Sequence, residues 1–411
     1  MRYGLLGEKL GHSFSKEIHE KLGLYKYDII ELSPAELDRF MREKDFAGVN
    51  VTIPYKQTVI PYLDEISERA EKIGAVNTIV NRGGRLFGDN TDFGGMEALI
   101  RKTGLDLRGK TVLIAGTGGT SKTARAVAES FGADRVIRMS RTGKEDAVSY
   151  EEACRNYPGA QILFNTTPAG MFPHPEGMVV DLALLPGLEG VIDVVYNPLT
   201  TRLVREARER GIIAENGLYM LVAQAVLAAE DFTGMHFGQD RTDSIFEEIV
   251  FEKRSIVLTG MPSSGKSTIG RILSEMLGRE LIDTDAEIVK KAGMPITEIF
   301  AVKGEKAFRD LESETIAELS GSGGKIISTG GGAVLRQQNV DLLKTNGTVI
   351  FLDRPLEALL PSDDRPLADD EEKIRRLYSE RYPVYVSAAD AVLKVEGTPE
   401  QTAEKLLEKL R

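Results

Sequence analysis

Cysteine is almost missing from this chain. Cys154 is the single one in 411 residues, so no internal disulfide can form and a disulfide scaffold is excluded. The 4 histidines are scattered and no CxxC or HExxH spacing occurs, which excludes a Cys/His zinc site. Long apolar runs are lacking too. No stretch of about 18 apolar residues exists, so no membrane-spanning helix is expected. The opening MRYGLLGEKLGHSFSKEIHE has no apolar core of a secretory signal, and a reducing cytoplasmic setting is expected. Basic charge is in deficit: 52 Lys+Arg stand against 63 Asp+Glu, for a net charge of -11. A general electrostatic footprint for nucleic acid or an anionic membrane is therefore absent, and anionic small molecules would have to be met by local pockets.

What the chain has in quantity is glycine, 41 residues, gathered at the ends of β-branched runs. The recurring rhythm is a short apolar run, a Gly-rich turn and an amphipathic helix, seen in TVLIAGTGGTSKTARAVAESFG and again in SIVLTGMPSSGKSTIGRILSEMLG. This is the βα unit of parallel α/β folds. The length suits two to three domains at about 150 residues each. The expected organisation is an α/β substrate-binding layer over 1–100, completed by returning helices in 228–250, then a Rossmann-like dinucleotide domain over 101–227. A second nucleotide domain with a parallel sheet is expected over 254–411.

In the first βα unit, a strand over 110–115 runs into Gly116, Gly118, Gly119 and Thr120, followed by a helix from Ser121 to about Phe131. Glycines let the backbone approach a pyrophosphate, and the helix N-terminus supplies free N–H groups and a positive dipole. About twenty residues on, where an NAD site places an acidic residue on the ribose, the chain offers Ser140, Arg141 and Thr142. A guanidinium and two hydroxyls suit a 2′-phosphate, so the cofactor expected is NADP.

The second unit contains GMPSSGKS, Gly260 to Ser267, which matches GxxxxGK[ST] between a strand and a helix. Backbone amides from Gly260, Ser263, Gly265 and Thr268 would cradle ATP phosphates. Lys266 would reach the β- and γ-phosphates, and Ser267 would ligate Mg²⁺. The next strand ends LIDTDAEI, and period-two alternation puts Asp283 and Asp285 on one side of an extended segment. One carboxylate would serve the magnesium shell and the other would orient an acceptor hydroxyl.

Several strings occur together in order: GHSFSKEIH, GVNVTIPYK, GAVNT, GDNTDFGG, NTTPAGM, DVVYNP and GLYMLVAQA. With them, residues 1–250 resemble shikimate dehydrogenase. Reducing a ring ketone creates an alkoxide that needs a proton donor within hydrogen-bond reach. Lys56 suits that role, since desolvation in a closed cleft would bring its ammonium toward the working range. The resemblance implies Lys56 and Asp92 as the catalytic pair, Thr52 and Asn77 on ring hydroxyls, and Ser13, Ser15 and Tyr196 on the substrate carboxylate. It also implies Gln224 against the ligand, with Met171 and Gly217 at the cofactor. The chain departs from the family at Lys16, where Pro is usual, at Phe93, where Gly is usual, and at Ser140, where Asn is usual.

Residues 254–411 resemble shikimate kinase in the P-loop, the paired aspartates, GEKAFRDLE, IISTGGGAV, DDRPLADD and SERYPVY. The resemblance implies that Asp285 binds and deprotonates the substrate 3-hydroxyl and that Arg309 and Arg381 clamp the ring carboxylate. Glu312 would orient Arg309, Gly331 and Gly332 would present amides to the ring, and Arg365 would swing in on a lid. The stretch between Asp353 and Arg365 reads as short and without the basic residue that stacks on adenine. Two alternatives stay open: a P-loop half acting only as a nucleotide sensor, and a dehydrogenase half acting on quinate with NAD.

Overall fold

A computed structural model of the chain describes residues 2–11, 13–143, 146–359 and 371–410. The chain divides into two compact units, Met1–Tyr196 with Thr201–Ile249, and Asn197–Thr200 with Val250–Arg411. Among the described residues it contains three sheets.

The first sheet of the N-terminal unit is mixed. Its strands run in the order Tyr27–Glu31, Tyr3–Gly7, Gly48–Val51, Thr78–Arg82, Arg85–Asp89, Glu65–Ile66. The first three are mutually parallel, Thr78–Arg82 runs antiparallel to Gly48–Val51, and Arg85–Asp89 pairs antiparallel with Thr78–Arg82. The second sheet is wholly parallel, in the order Ile213–Glu215, Gly190–Asp193, Ile162–Asn165, Thr111–Ala115, Arg135–Ser140, Val148–Ser149. Its central strands, Gly190–Asp193, Ile162–Asn165 and Thr111–Ala115, are buried and largely apolar on both faces, as a sheet covered on both sides requires. Val112, Ile114, Ile162 and Phe164 pack with Leu99, Ile100 and Val127 on one face. Leu113, Leu163 and Val191 pack with Leu203, Val204 and the lone Cys154 on the other. The order of connection reverses between Thr111–Ala115 and Ile162–Asn165, the position where doubly wound sheets open a crevice at their strand ends.

Helices Thr91–Thr103 and Leu218–Thr233 pack against each other, and glycine makes this possible. A Cβ on Gly95 would lie 2.6 Å from the Met220 carbonyl, and one on Gly94 would lie 2.5 Å from Leu227 Cδ1. The two helices therefore meet backbone to backbone, and Asp92 and Gln224 arrive at the same cleft from neighbouring rods.

The C-terminal unit holds a parallel sheet in the order Leu281–Asp283, Ile326–Ser328, Ser255–Thr259, Gly347–Asp353, Ala391–Lys394. Ile256, Leu258, Ile350 and Leu352 face Ile269, Leu273 and Leu406, while Val257, Ile327 and Val349 face Ile316 and Leu343.

Boundaries differ from the sequence reading in three places. The first turn helix spans Gly119–Ser130, because Gly118 is its N-cap and Gly119 and Thr120 already take helical form. The helix read from SIFEEIVF extends over Gln239–Lys253. Asp285 is not on an extended segment: the strand stops at Asp283, whose side chain accepts from the Asp285 and Ala286 amides and starts the helix Thr284–Ala292. A capping carboxylate outweighs period-two alternation at this point.

Gly95→Ala tests the helix contact. Helix propensity alone would gain up to about 1 kcal/mol. The approach to the Met220 carbonyl is expected to turn this into a loss of about 1–3 kcal/mol for the N-terminal unit, measured by urea unfolding followed by circular dichroism.

Candidate active sites

Nine residues singled out in the sequence line one cleft of the N-terminal unit, of about 670 Å³: Ser13, Ser15, Thr52, Lys56, Asn77, Asp92, Met171, Tyr196 and Gln224. Lys56 Nζ lies 2.5 Å from Asp92 Oδ2, with side chains only 18% and 13% exposed. Asp92 is placed by the first turn of its helix, whose N-cap Asn90 accepts from the Phe93 amide. Asn77 Oδ1 accepts from the Thr91 amide at 2.7 Å, which leaves its NH₂ as the donor toward the cleft. Gln224 Nε2 donates to the Leu221 carbonyl at 2.8 Å, which leaves its carbonyl oxygen as an acceptor. Ser13 and Ser15 lie 3.0 Å apart, Oγ to Oγ. Tyr196, half-buried with its phenol pushed up by burial, packs its ring 5.3 Å from Phe14. The cleft thus offers an ammonium held by a carboxylate and a ring of oriented hydroxyls and amides.

The remaining dinucleotide candidates lie outside this lining. Gly116, Gly118, Gly119 and Thr120 form the turn after Thr111–Ala115, with Gly116 at φ +118°, and a Cβ on Gly118 or Gly119 would meet open space. That open cradle at a helix N-terminus fits a pyrophosphate. Ser140, Arg141 and Thr142 end the neighbouring strand, with Arg141 and Thr142 exposed. Gly217 caps Leu218–Thr233 where a Cβ would strike the Val194 carbonyl.

In the C-terminal unit, Ser263, Gly265, Lys266, Ser267, Thr268, Asp283, Asp285 and Gly331 line a second pocket of about 280 Å³. The loop turns on Gly260 at φ +149°, Ser263 at φ +62° and Gly265 at φ +97°. Ser264 Oγ is buried with no hydrogen-bond partner among the described residues, as in a loop shaped for a ligand. Ser267 Oγ donates to Asp283 Oδ2 at 3.0 Å. A hydroxyl and one carboxylate suit Mg²⁺, which takes few protein ligands and completes its shell with phosphate oxygens and water.

Arg309 and Arg381 converge on the triple glycine. Arg381 Nη1 donates to the Gly331 carbonyl at 3.1 Å, and a Cβ on Gly332 would strike the Arg309 guanidinium. A Cβ on Gly330 would strike the Asp285 carboxylate. Arg309 Nη1 is 2.9 Å from Glu312 Oε2, and Glu312 is fully buried, its pKa raised by burial against the opposing pull of Arg309. Arg365 lies outside the described residues.

Two family models match the chain: the shikimate dehydrogenase substrate binding domain over residues 5–79 and shikimate kinase over residues 262–411. A shikimate dehydrogenase (NADP(+)) of Geobacillus kaustophilus is 39% identical over 255 residues, 56% of this chain and 92% of the relative. This chain belongs to the shikimate dehydrogenase family. Its C-terminal unit is a shikimate kinase domain. Among solved structures, shikimate 5-dehydrogenase from Thermus thermophilus, in complex with NADP(H) and shikimate, is 31% identical with a TM-score of 0.55, covering 60% of this chain and 99% of that one. Quinate dehydrogenase from Corynebacterium glutamicum, in complex with NAD, is 30% identical with a TM-score of 0.54, also covering 60% and 99%.

Sequence reasoning passed over several residues of these sites. Asn50 lines the dehydrogenase cleft, accepts from Tyr27 Oη at 2.7 Å and donates to Thr78 Oγ1 at 3.1 Å. A polar residue inside the apolar run GVNVTIP was the available signal. Lys9 adds a second ammonium to the lining. In the kinase domain, Tyr385 is fully buried, donates to the Gly331 carbonyl, stacks 5.1 Å from Phe351, and has its phenol pushed up to about 12 by burial. Arg354, which directly follows Asp353, was also passed over and lines the P-loop pocket.

The dehydrogenase unit carries a titratable tie between two strand-end loops. Buried Asp193 accepts from Asn165 Nδ2 at 2.9 Å, the Val195 amide at 3.1 Å and Thr201 Oγ1 at 2.7 Å, and burial pushes its pKa from 3.8 to about 7. A raised folded-state pKa means the stability from this group is complete below the unfolded value and is lost as pH rises through about 7, by at most ~1.4 kcal/mol per pH unit. Urea midpoints between pH 4 and 7 are expected to show this slope shrinking in Asp193→Asn. The same-signed slope from Asp231, raised to about 6 by burial, stays.

Proposed function

We propose that the chain is a bifunctional cytoplasmic enzyme of the shikimate pathway. Its first activity is NADPH-dependent reduction of 3-dehydroshikimate to shikimate, and its second is ATP-dependent phosphorylation of shikimate to shikimate 3-phosphate. Residues 1–100 with 228–250 form the first substrate domain in this reading, 101–227 the NADP domain and 254–411 the kinase. The observation that carries it is the convergence of Lys56, Asp92, Asn77, Gln224 and the serine pair on one cleft. The partners are small molecules.

NADPH supplies a hydride when bound, and ATP with Mg²⁺ supplies the phosphoryl group. In the first reaction Lys56 donates a proton to the oxygen that becomes the shikimate hydroxyl, and Asp92 holds the ammonium in place. The Asn77 amide donates to a ring hydroxyl and the Gln224 carbonyl accepts from one. Ser13, Ser15 and Tyr196 receive the carboxylate. Arg141, with no acid at the end of its strand, supports NADP and sets the NAD-dependent quinate reading second. That second reading is favoured only by the likeness to quinate dehydrogenase.

In the second reaction Asp285 accepts the proton of the acceptor hydroxyl, while Arg309 and Arg381 hold the ring carboxylate. Glu312 fixes Arg309, and Ser267 with Asp283 would hold the magnesium ion. A pure nucleotide sensor needs no acceptor clamp, so this cluster argues against the regulatory reading.

Lys56→Ala and Asp285→Asn, each made in the full chain, test the assignment. Lys56→Ala is expected to lower dehydrogenase kcat at least ~100-fold with kinase kcat unchanged, and Asp285→Asn is expected to do the reverse. Steady-state assays of both reactions on each variant read this. Loss of both activities from either folded variant would contradict it.

A further inference from the structure

Arg354 belongs to none of the roles derived above, yet it stands in the kinase pocket. It follows the strand Gly347–Asp353, which pairs directly with the strand Ser255–Thr259 that leads into the P-loop, Thr259 opposite Phe351. Nη1 of Arg354 donates to the Ser263 carbonyl at 3.3 Å, and Ser263 is the non-glycine residue of the loop with φ +62°. The guanidinium is thereby held against the outer turn of the phosphate loop, on the wall of the same 280 Å³ space that Lys266 and Ser267 line.

The sheet order gives this placement meaning. Asp283 ends a strand on one flank of the P-loop strand, Leu281–Asp283, and Arg354 directly follows the strand on the other flank, Gly347–Asp353. Phosphates seated on the loop amides would meet the Asp283–Ser267 pair, where a cation would sit, on the first flank, and a fixed guanidinium on the second. Lys266 Nζ is held by the Gly260 and Met261 carbonyls at 3.0 and 2.9 Å, so it is anchored at the root of the loop. One carbonyl contact uses part of the Arg354 fork and leaves further N–H donors for a phosphate oxygen.

We propose that Arg354 is a binding residue for the β- and γ-phosphates of the nucleotide, a cation built into the floor of the pocket from the end of a sheet strand. The inference rests on the reading of residues 254–411 as a nucleoside-triphosphate-dependent kinase. The contact is to phosphate, since the guanidinium is tethered to the phosphate loop itself.

Calorimetric titration of the full chain with ADP, AMP and adenosine, for wild type, Arg354→Gln and Arg354→Lys, tests it. A lost charge-assisted contact is expected to weaken ADP binding by roughly tenfold to a hundredfold in Arg354→Gln, with partial recovery in Arg354→Lys. AMP and adenosine binding and the KM for shikimate are expected to stay at their wild-type values. Unchanged ADP affinity in Arg354→Gln, with thermal unfolding showing a folded domain, would overturn the proposal. So would an equal loss for ADP, AMP and adenosine, which would place the side chain on the base. A wild-type chain that binds ADP in an Arg354-dependent way without phosphorylating shikimate would sink the kinase reading and leave this contact standing. A wild-type chain that binds no ADP would sink both.

Discussion

An ammonium and a carboxylate 2.5 Å apart and largely shielded from water set the geometry of the dehydrogenase half. Lys56 comes from the turn after strand Gly48–Val51, while Asp92 comes from the first turn of a helix, so neither local segment can create the pair alone. It exists because Asn77 receives the Thr91 amide and pins the helix start to the mixed sheet. It also needs Gly94 and Gly95, which let that helix lie against Leu218–Thr233 and bring Gln224 alongside. The pair is costly to desolvate unless further groups surround it. The cleft of hydroxyls and amides around it supplies these and is at the same time what a polyhydroxylated ring acid would fill.

The kinase half meets a related constraint with different means. Arg309 and the fully buried Glu312 form an ion pair on one helix, i to i+3, and the guanidinium then needs somewhere to lie. Gly332 provides that space by having no side chain, and Gly330 does the same for Asp285. Tyr385 and Arg381 hold the Gly331 carbonyl between them. Three consecutive glycines thus form a backbone surface against which two cations and an acid are packed, inside a chain whose net charge is -11. Local charge arrangement rather than overall charge decides what such a protein attracts.

Much of this was legible in the sequence because glycine-rich turns after apolar runs have few other uses. The two βα units, the parallel sheets and the residues that meet in the first cleft follow from short strings whose chemistry is specific. What stayed hidden depended on distance along the chain. Asn50 reads as one polar residue in a strand, and its place beside the cleft comes only from pairing with Thr78–Arg82. Tyr385 lies 54 residues from the carbonyl it binds. Arg354 follows a strand whose neighbour in the sheet is 92 positions away, Thr259 against Phe351. Asp283 and Asp285 were separable in principle, since an aspartate before a helical run is a capping signal, but alternation concealed it.

The central claim is that one small acid passes through both chemistries on a single chain. Incubation of the purified protein with 3-dehydroshikimate, NADPH, ATP and Mg²⁺, with products identified by mass spectrometry, tests it most directly. The account predicts shikimate 3-phosphate, with NADPH and ATP consumed in equal amounts and no phosphorylated product when NADPH is left out. Accumulation of unphosphorylated shikimate with ATP untouched, or phosphorylation of added shikimate by a chain that never oxidises NADPH, would contradict it.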